Sequence, residues 1–325
     1  MPEMNVIEAI QDGLSYEMRH DERVLLLGMD VGRLGGVFRA TKGLLDEFGS
    51  ERVVDTPLAE GGIIGSSIGL ALSGLIPVAE IQFLGFTQEA FHQMAGQLAR
   101  THFRTRGRYS TQVTVRAPFG GAVRTPEFHP DAIEAQYVQA PGLKIVCPAT
   151  PTDAKGLLLE AIRDPDPVLY LEPQRLYRKG RVEVPEGDYT VPFGEARMAR
   201  QGDDVTLIAW SAAVDLALTA ADELAADGIE AGVMDLRTLV PLDLELLTRE
   251  VARTGKAIVV HEAPLSGGFG AEIAATLQEE CFFSLDQPVG RVTSWDTPYP
   301  PGPLEDWYLP SVARLVAKAR DVVTA

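Results

Sequence analysis

The stretch VVDTPLAEGGIIGSSIGLALSGLIP, residues 53–77, decides the fold. A β-rich run over Arg52–Thr56 stops at Pro57, and one carboxylate, Glu60, follows at once. Small and apolar residues then continue in a helical pattern, with Gly61, Gly65, Gly69 and Ser73 at every fourth position. That spacing sets all four on one helix face, and a face without side chains lets another backbone come very close. A lone acid thus stands at the mouth of a strand–helix turn, where a buried carboxylate can give or take a proton. The plain alternative is a glycine-rich core helix whose first turn holds Glu60 because an anion suits the positive end of the helix dipole. The local pattern leaves both open.

Outward from this unit, apolar β-rich runs alternate with helical patterns. Strands are expected over Val24–Gly28, Arg52–Thr56, Val78–Phe83, Gln112–Arg116, Lys144–Pro148 and Pro167–Glu172. Helices are expected over Asn5–Arg19, Thr41–Phe48, Ile63–Ser73, Gln88–Phe103 and Pro151–Arg163. The polar stretch Arg178–Gly194, rich in Pro and Gly, interrupts the pattern. A second block follows, with strands over Val205–Trp210, Glu230–Leu236, Ala257–His261 and Arg291–Trp295. Its helices are expected over Ala212–Ala226, Asp243–Thr254, Ala271–Phe282 and Pro310–Val322. Continuous apolar strands alternating with helices imply parallel sheets covered on both faces. The fold class is therefore α/β, in two domains, 1–185 and 186–325, each a mostly parallel sheet covered by helices. Ligands of such sheets gather beyond the carboxyl ends of the strands. Glu60, Phe86, Arg116, Arg124 and His261 fall near such ends in this reading.

The 325 residues carry a formal net charge of −17, which argues against nucleic acid and anionic membranes as partners and suits a basic protein partner. One cluster has the opposite sign: Arg100, His102, Arg104, Arg106, Arg108, Arg116 and Arg124. It can meet a carboxylate, a phosphate or another subunit, or be a solvated helix end and loop. Residues 61–79 carry no charge, but five glycines and Pro77 speak against a membrane span. The N-terminus has acids and no apolar signal core, so a cytoplasmic protein is expected. Cys147 and Cys281 show no metal spacing, and Cys147 lies in an apolar run that suits a buried thiol.

No dinucleotide fingerprint follows the first strand, and no P-loop or nucleophile elbow occurs. Of the five histidines, His129 stands out, in a loop-like run between a strand and a helix, where catalytic groups often sit. His261 ends the run AIVVHEA, where capping, an interface and a ligand role all remain open.

GMDVGRLGGVF (28–38), RVVDTPLAEGGIIG (52–65), VAEIQFLGF (78–86), RAPFGGAVRTPEFH (116–129), PGLKIVCPATPTDAKGLL (141–158) and AIRDPDPVLYLEP (161–173) carry a resemblance. DLRTLVPLD (235–243), VVHEAPLSGGFGAE (259–272) and DTPYPP (296–301) extend it over nearly the whole chain. The chain resembles the beta subunit of the decarboxylating component of 2-oxo acid dehydrogenase complexes, and the pyruvate-specific Gram-positive type more than the branched-chain type. The resemblance implies an α2β2 heterotetramer with thiamine diphosphate across an α–β interface. In such enzymes the alpha subunit grips diphosphate and magnesium through a GDG…N motif. This chain contains no GDG, so it is expected to hold only the aminopyrimidine half of the site and to be inactive alone.

By the same resemblance Glu60 is the catalytic glutamate, whose carboxyl hydrogen-bonds the aminopyrimidine and so assists removal of the thiazolium proton. Phe86 matches the aromatic that packs on that ring, and Gln82 and Leu58 line the pocket. His129 matches the histidine that orients substrate and assists acyl transfer to lipoamide. Potassium is implied at Val113, Ala161, Ile162, Asp164 and Asp166, where the plain alternative is a turn rich in Asp and Pro. The second domain resembles the transketolase C-terminal domain, an assembly unit. The acidic surface suits the basic subunit-binding domain of a lipoyl acyltransferase.

Two positions depart from the pattern. Met29 stands where the family usually has Glu, so a proton relay there is absent or moved to Asp30. After His129, Pro130 and Asp131 replace the family's Ser and Gln. The rival readings are a branched-chain 2-oxo acid or acetoin dehydrogenase subunit, and a non-catalytic assembly subunit with a decayed site.

Overall fold

The computed structural model describes residues 1–324; Ala325, the last residue of the expected second domain, lies outside them. A seven-stranded sheet runs in the order Thr238–Val240, Lys144–Val146, Val168–Pro173, Thr114–Phe119, Ile76–Glu80, Val24–Gly28 and Val53–Asp55. All its pairings are parallel except that of Thr238–Val240, which runs antiparallel to Lys144–Val146. A five-stranded sheet follows the order Gly290–Ser294, Ala257–Pro264, Val205–Ala209, Ala231–Asp235 and Arg197–Arg200, and is parallel but for its last strand.

Local chemistry starts the helices where the sequence places them. Asn5 caps the helix Val6–His20: its Oδ1 accepts from the Glu8 amide at 3.0 Å, and the Glu8 carboxylate accepts from the Asn5 amide at 2.9 Å. Thr150 caps Pro151–Arg163, and Pro151 occupies the first turn, where no amide is needed. These two helices pack on each other over one face of the first sheet, burying Ile10, Leu14, Leu157 and Leu158. The other face is covered by the helix Glu60–Leu72 and the segment after Ile76–Glu80. That second core runs on into the five-stranded sheet through Trp210, Met234, Val259 and Phe269, so the two sheets share one apolar interior. Thr238–Val240 reinforces the join: it comes from the second half of the chain and completes the edge of the first sheet.

Two expectations change here. The segment Gln88–Phe103 is not one α-helix. It is a 3₁₀ stretch, Leu84–Ala90, then a π-helical stretch, His92–Leu98, then a single α turn, Thr101–Arg104. Gly96 lets the His92 ring fold over its own helix, since a Cβ there would stand 3.0 Å from the ring nitrogen. Thr41–Phe48 shortens to Leu44–Phe48 because Gly43 adopts a left-handed conformation just before it.

Candidate active site

In a parallel sheet all carboxyl ends share one edge, and the sequence's strongest candidates lie along it. Glu60 opens the helix that follows Val53–Asp55, Gln82 and Phe86 follow Ile76–Glu80, and His129 lies in the loop after Thr114–Phe119. Phe83, Phe86 and His129 form one aromatic cluster, with the imidazole 4.5 Å from Phe83 and 4.9 Å from Phe86, both edge to face. His129 Nδ1 lies 3.1 Å from the Glu127 carbonyl. A carbonyl only accepts, so Nδ1 is the donor in this contact, which leaves Nε2 free of it.

The loop carrying His129 is set by backbone contacts. Phe128 adopts a left-handed φ of 71°. Its carbonyl oxygen comes so close to Gly85 that a Cβ there would stand 2.0 Å away. Gln174 donates from Nε2 to the His129 carbonyl at 3.1 Å. Phe83 and Gln174 were not singled out in the sequence. Phe83 reads there as ordinary core, and no local signal marks Gln174.

Glu60 is half-buried and has no hydrogen-bond partner among the described residues, and Leu58 beside it is 70 % exposed. The helix behind Glu60 packs on the Leu84–Ala90 segment, with Gly61 against the Glu89 carbonyl. It buries only Ile63, Ile64 and Ser67, and around Gly65 and Gly69 there is open space. The apolar enclosure expected around Glu60 is therefore not supplied by this chain. The Gln82 Nε2, buried and without a partner, is a donor available to a ligand. A half-exposed acid, an unpartnered amide donor and an aromatic wall fit a flat ring with nitrogen donors and acceptors.

Other candidates fall elsewhere. Arg116 lies within its strand, fully buried, and its guanidinium meets Glu80 at 2.7 Å and Glu172 at 2.6 Å. The Glu172 contact is close but not aligned as a hydrogen bond. Arg116 therefore neutralises buried carboxylates and does not face a ligand. Arg124 is exposed and pairs with Asp306 at 3.3 Å. His261 is buried within Ala257–Pro264, stacked on Trp210, and burial pushes its pKa down to about 3, so it stays neutral. Cys147 and Cys281 are buried free thiols, and burial pushes both upward.

Around the end of the Pro151–Arg163 helix, much of the oxygen capacity is already used. The Ile162 carbonyl accepts from Gln112 at 2.8 Å, and the Val113 carbonyl accepts from the Val168 amide at 3.0 Å. The Lys144 ammonium sits 2.6 Å from both Asp164 oxygens. Lys144 thus balances the acidic charge there with an internal cation.

Met29 is half-buried just past Val24–Gly28, in a loop held by Asp55, which accepts from the Gly32 amide at 2.6 Å and the Arg33 amide at 3.0 Å. No helix among the described residues is long and apolar enough to cross a membrane.

The family described as transketolase, pyrimidine binding domain, matches residues 2–179, and that described as transketolase, C-terminal domain, matches residues 194–315. The chain is 49 % identical to the pyruvate dehydrogenase E1 component subunit beta of Bacillus subtilis, covering 99 % of each chain. It is equally similar to that of Staphylococcus epidermidis, at 49 % identity over 98 % of each. Among solved structures, a split-gene transketolase described as an inactive beta4 tetramer superposes with a TM-score of 0.80 at 25 % identity, covering 99 % of both chains. A transketolase from Leishmania mexicana shares the fold, with a TM-score of 0.74 at 17 % identity over 46 % of its own length.

Proposed function

The chain belongs to the family of pyruvate dehydrogenase E1 component beta subunits, and from that premise we propose that it joins an alpha subunit in an α2β2 heterotetramer that decarboxylates pyruvate and passes the acetyl group to lipoamide. The observation that carries this reading is the open half-site: Glu60, with no hydrogen-bond partner among the described residues, opens the helix that packs on the segment holding Phe86, whose ring meets Phe83 and His129. Thiamine diphosphate, when bound, supplies the acidic carbon and the electron sink for loss of carbon dioxide. Glu60 holds or gives a proton at a ring nitrogen, and the alpha subunit closes the site from water. Phe86 and Leu58 give the ring an apolar bed, and Gln82 donates to it. His129, its Nδ1 spent on Glu127, offers Nε2 to the substrate oxygen and to the arriving thiol.

Magnesium is assigned to the alpha subunit. Potassium at Val113, Ala161, Ile162, Asp164 and Asp166 is a secondary proposal, tested by whether potassium, but not sodium, raises the thermal midpoint. The net charge of −17 supports docking of a basic subunit-binding domain of the acyltransferase, and buried free thiols suit a cytoplasmic complex.

The test is thiamine-dependent dye reduction by this chain with and without its alpha partner, with pyruvate against branched 2-oxo acids and acetoin. Activity is expected only in the pair and strongest with pyruvate. Glu60→Gln is expected to abolish it in an intact tetramer, and His129→Ala to slow acetyl transfer to lipoamide more than dye reduction. Full activity of the Glu60→Gln tetramer would end the catalytic reading.

A further inference from the structure

We propose that the segment Arg100–Tyr109 and the groove beside it form a docking surface for an acidic segment of a partner chain bearing an aromatic or leucine anchor, on the edge opposite the thiamine half-site.

Charge is the first observation. The chain is strongly acidic, yet no Asp or Glu occurs between Glu89 and Glu127. Many surface arginines elsewhere find acids, as Arg19 does with Glu47, Arg253 with Asp203 and Arg320 with Asp227, whereas this stretch has no acid of its own to offer. The side chains of Arg100, Arg106 and Arg108 make no ion pair or hydrogen bond among the described residues, and that of Arg104 reaches only the Gln97 side chain and the Gly96 carbonyl. In a protein with acids in excess, these cations are kept free of internal partners.

Shape and composition narrow the occupant. Phe103 is 89 % exposed and Tyr109 is 55 % exposed, both among the free arginines. Phe103 lines a groove of about 610 Å³ with Ala99, Pro141, Gly142, Arg100 and His102, and the one acid in it, Asp166, is already engaged by His102 and Lys144. A smaller recess of about 260 Å³ lies between Arg104, Arg106, Arg108 and Tyr109. Arginine and aromatic residues together are the composition of protein-interface hot spots. A mostly apolar groove next to an arginine recess fits a side-chain anchor flanked by carboxylates. A free phosphate would use the recess and leave the groove unfilled.

The surface is also preformed. Thr105 Oγ1 accepts from the Tyr109 amide at 3.2 Å and donates to the Thr101 carbonyl at 2.8 Å. Arg106 and Gly107 take left-handed conformations, and the His102 ring is held by Asp166 at 2.6 Å. A rigid loop loses little entropy on docking. Its place in the topology separates it from the chemistry. The segment leads into the amino end of Thr114–Phe119, whereas Glu60, Phe86 and His129 follow carboxyl ends.

The probe is a fluorescein-labelled peptide of glutamates with one central phenylalanine, titrated by anisotropy against the full chain alone and assembled with its alpha partner. Saturable binding to the chain alone is expected, weakened by salt and about tenfold by Phe103→Ala or by Arg106→Glu with Arg108→Glu. Glu60→Gln, on the other edge, should leave it unchanged. Loss of binding in the assembled pair would identify the alpha subunit as the occupant, and retention would place the occupant outside it. The proposal is overturned if the chain alone shows no saturable binding, or if the two variants bind as the parent does. It is equally overturned if inorganic phosphate or phosphatidylserine vesicles compete as well as an unlabelled peptide.

Discussion

Replacing Glu134 by glutamine isolates one buried carboxyl whose charge the fold opposes. Glu134 precedes the turn Ala135–Val138, at the end of the loop that carries His129. It is fully buried, and neither carboxyl oxygen has a hydrogen-bond partner among the described residues. Burial raises its pKa from 4.5 to about 7, and the negative charge of Glu262 adds to the rise. The Trp210 indole, near but not aligned for a hydrogen bond, pulls the other way. At about 1.4 kcal/mol per pH unit, the rise is worth about 3 kcal/mol. Because the folded value is the raised one, this stability is fully present below 4.5 and is lost as pH rises through about 7. Glutamine has no such dependence. Urea unfolding of both proteins from about pH 5 to about pH 8 reads the difference. The parent should lose most of about 3 kcal/mol relative to Glu134→Gln over that window. Asp235, buried and raised to about 6, titrates in both proteins and cancels from the comparison. Parallel stability–pH curves would refute the reasoning.

Three further outcomes are expected. Gly85→Ala should lower activity of the assembled enzyme and cost about 1–3 kcal/mol, because the new methyl overlaps the Phe128 carbonyl and displaces the His129 loop; unchanged kinetics and unfolding would contradict this. Arg116→Ala should destabilise by about 3–5 kcal/mol, leaving Glu80 and Glu172 buried with no cation, and a chemical denaturation midpoint equal to the parent's would count against that account. Met29→Glu should alter the pH–rate profile of the reconstituted tetramer by placing an ionisable group beside the half-site, and an unchanged profile would remove the idea.

The two parallel sheets were legible because buried strands such as Val24–Gly28 and Ala257–His261 are near-continuous apolar runs. Thr238–Val240 was not, since a three-residue edge strand pairing across the chain leaves too short a pattern to read. An acid set against a four-residue glycine period singled out Glu60, but the pattern alone left a plain helix start open, and a role came only with the resemblance. His261 was misplaced because AIVVHEA looks like a strand end, and only the fold reveals that Trp210 from the neighbouring strand stacks on the ring. Glu134 carried no signal at all. In AIEAQ it reads as an ordinary surface glutamate, and its burial arises only where the two sheets join.

The bare helix face around Gly65 and Gly69 changes who bears the consequence of a mutation. A methyl added at either position meets open space, so the single chain folds as before and passes any test of its own stability. In the proposed heterotetramer a defect there is expected on closure against another chain, and not in the stability of the single chain.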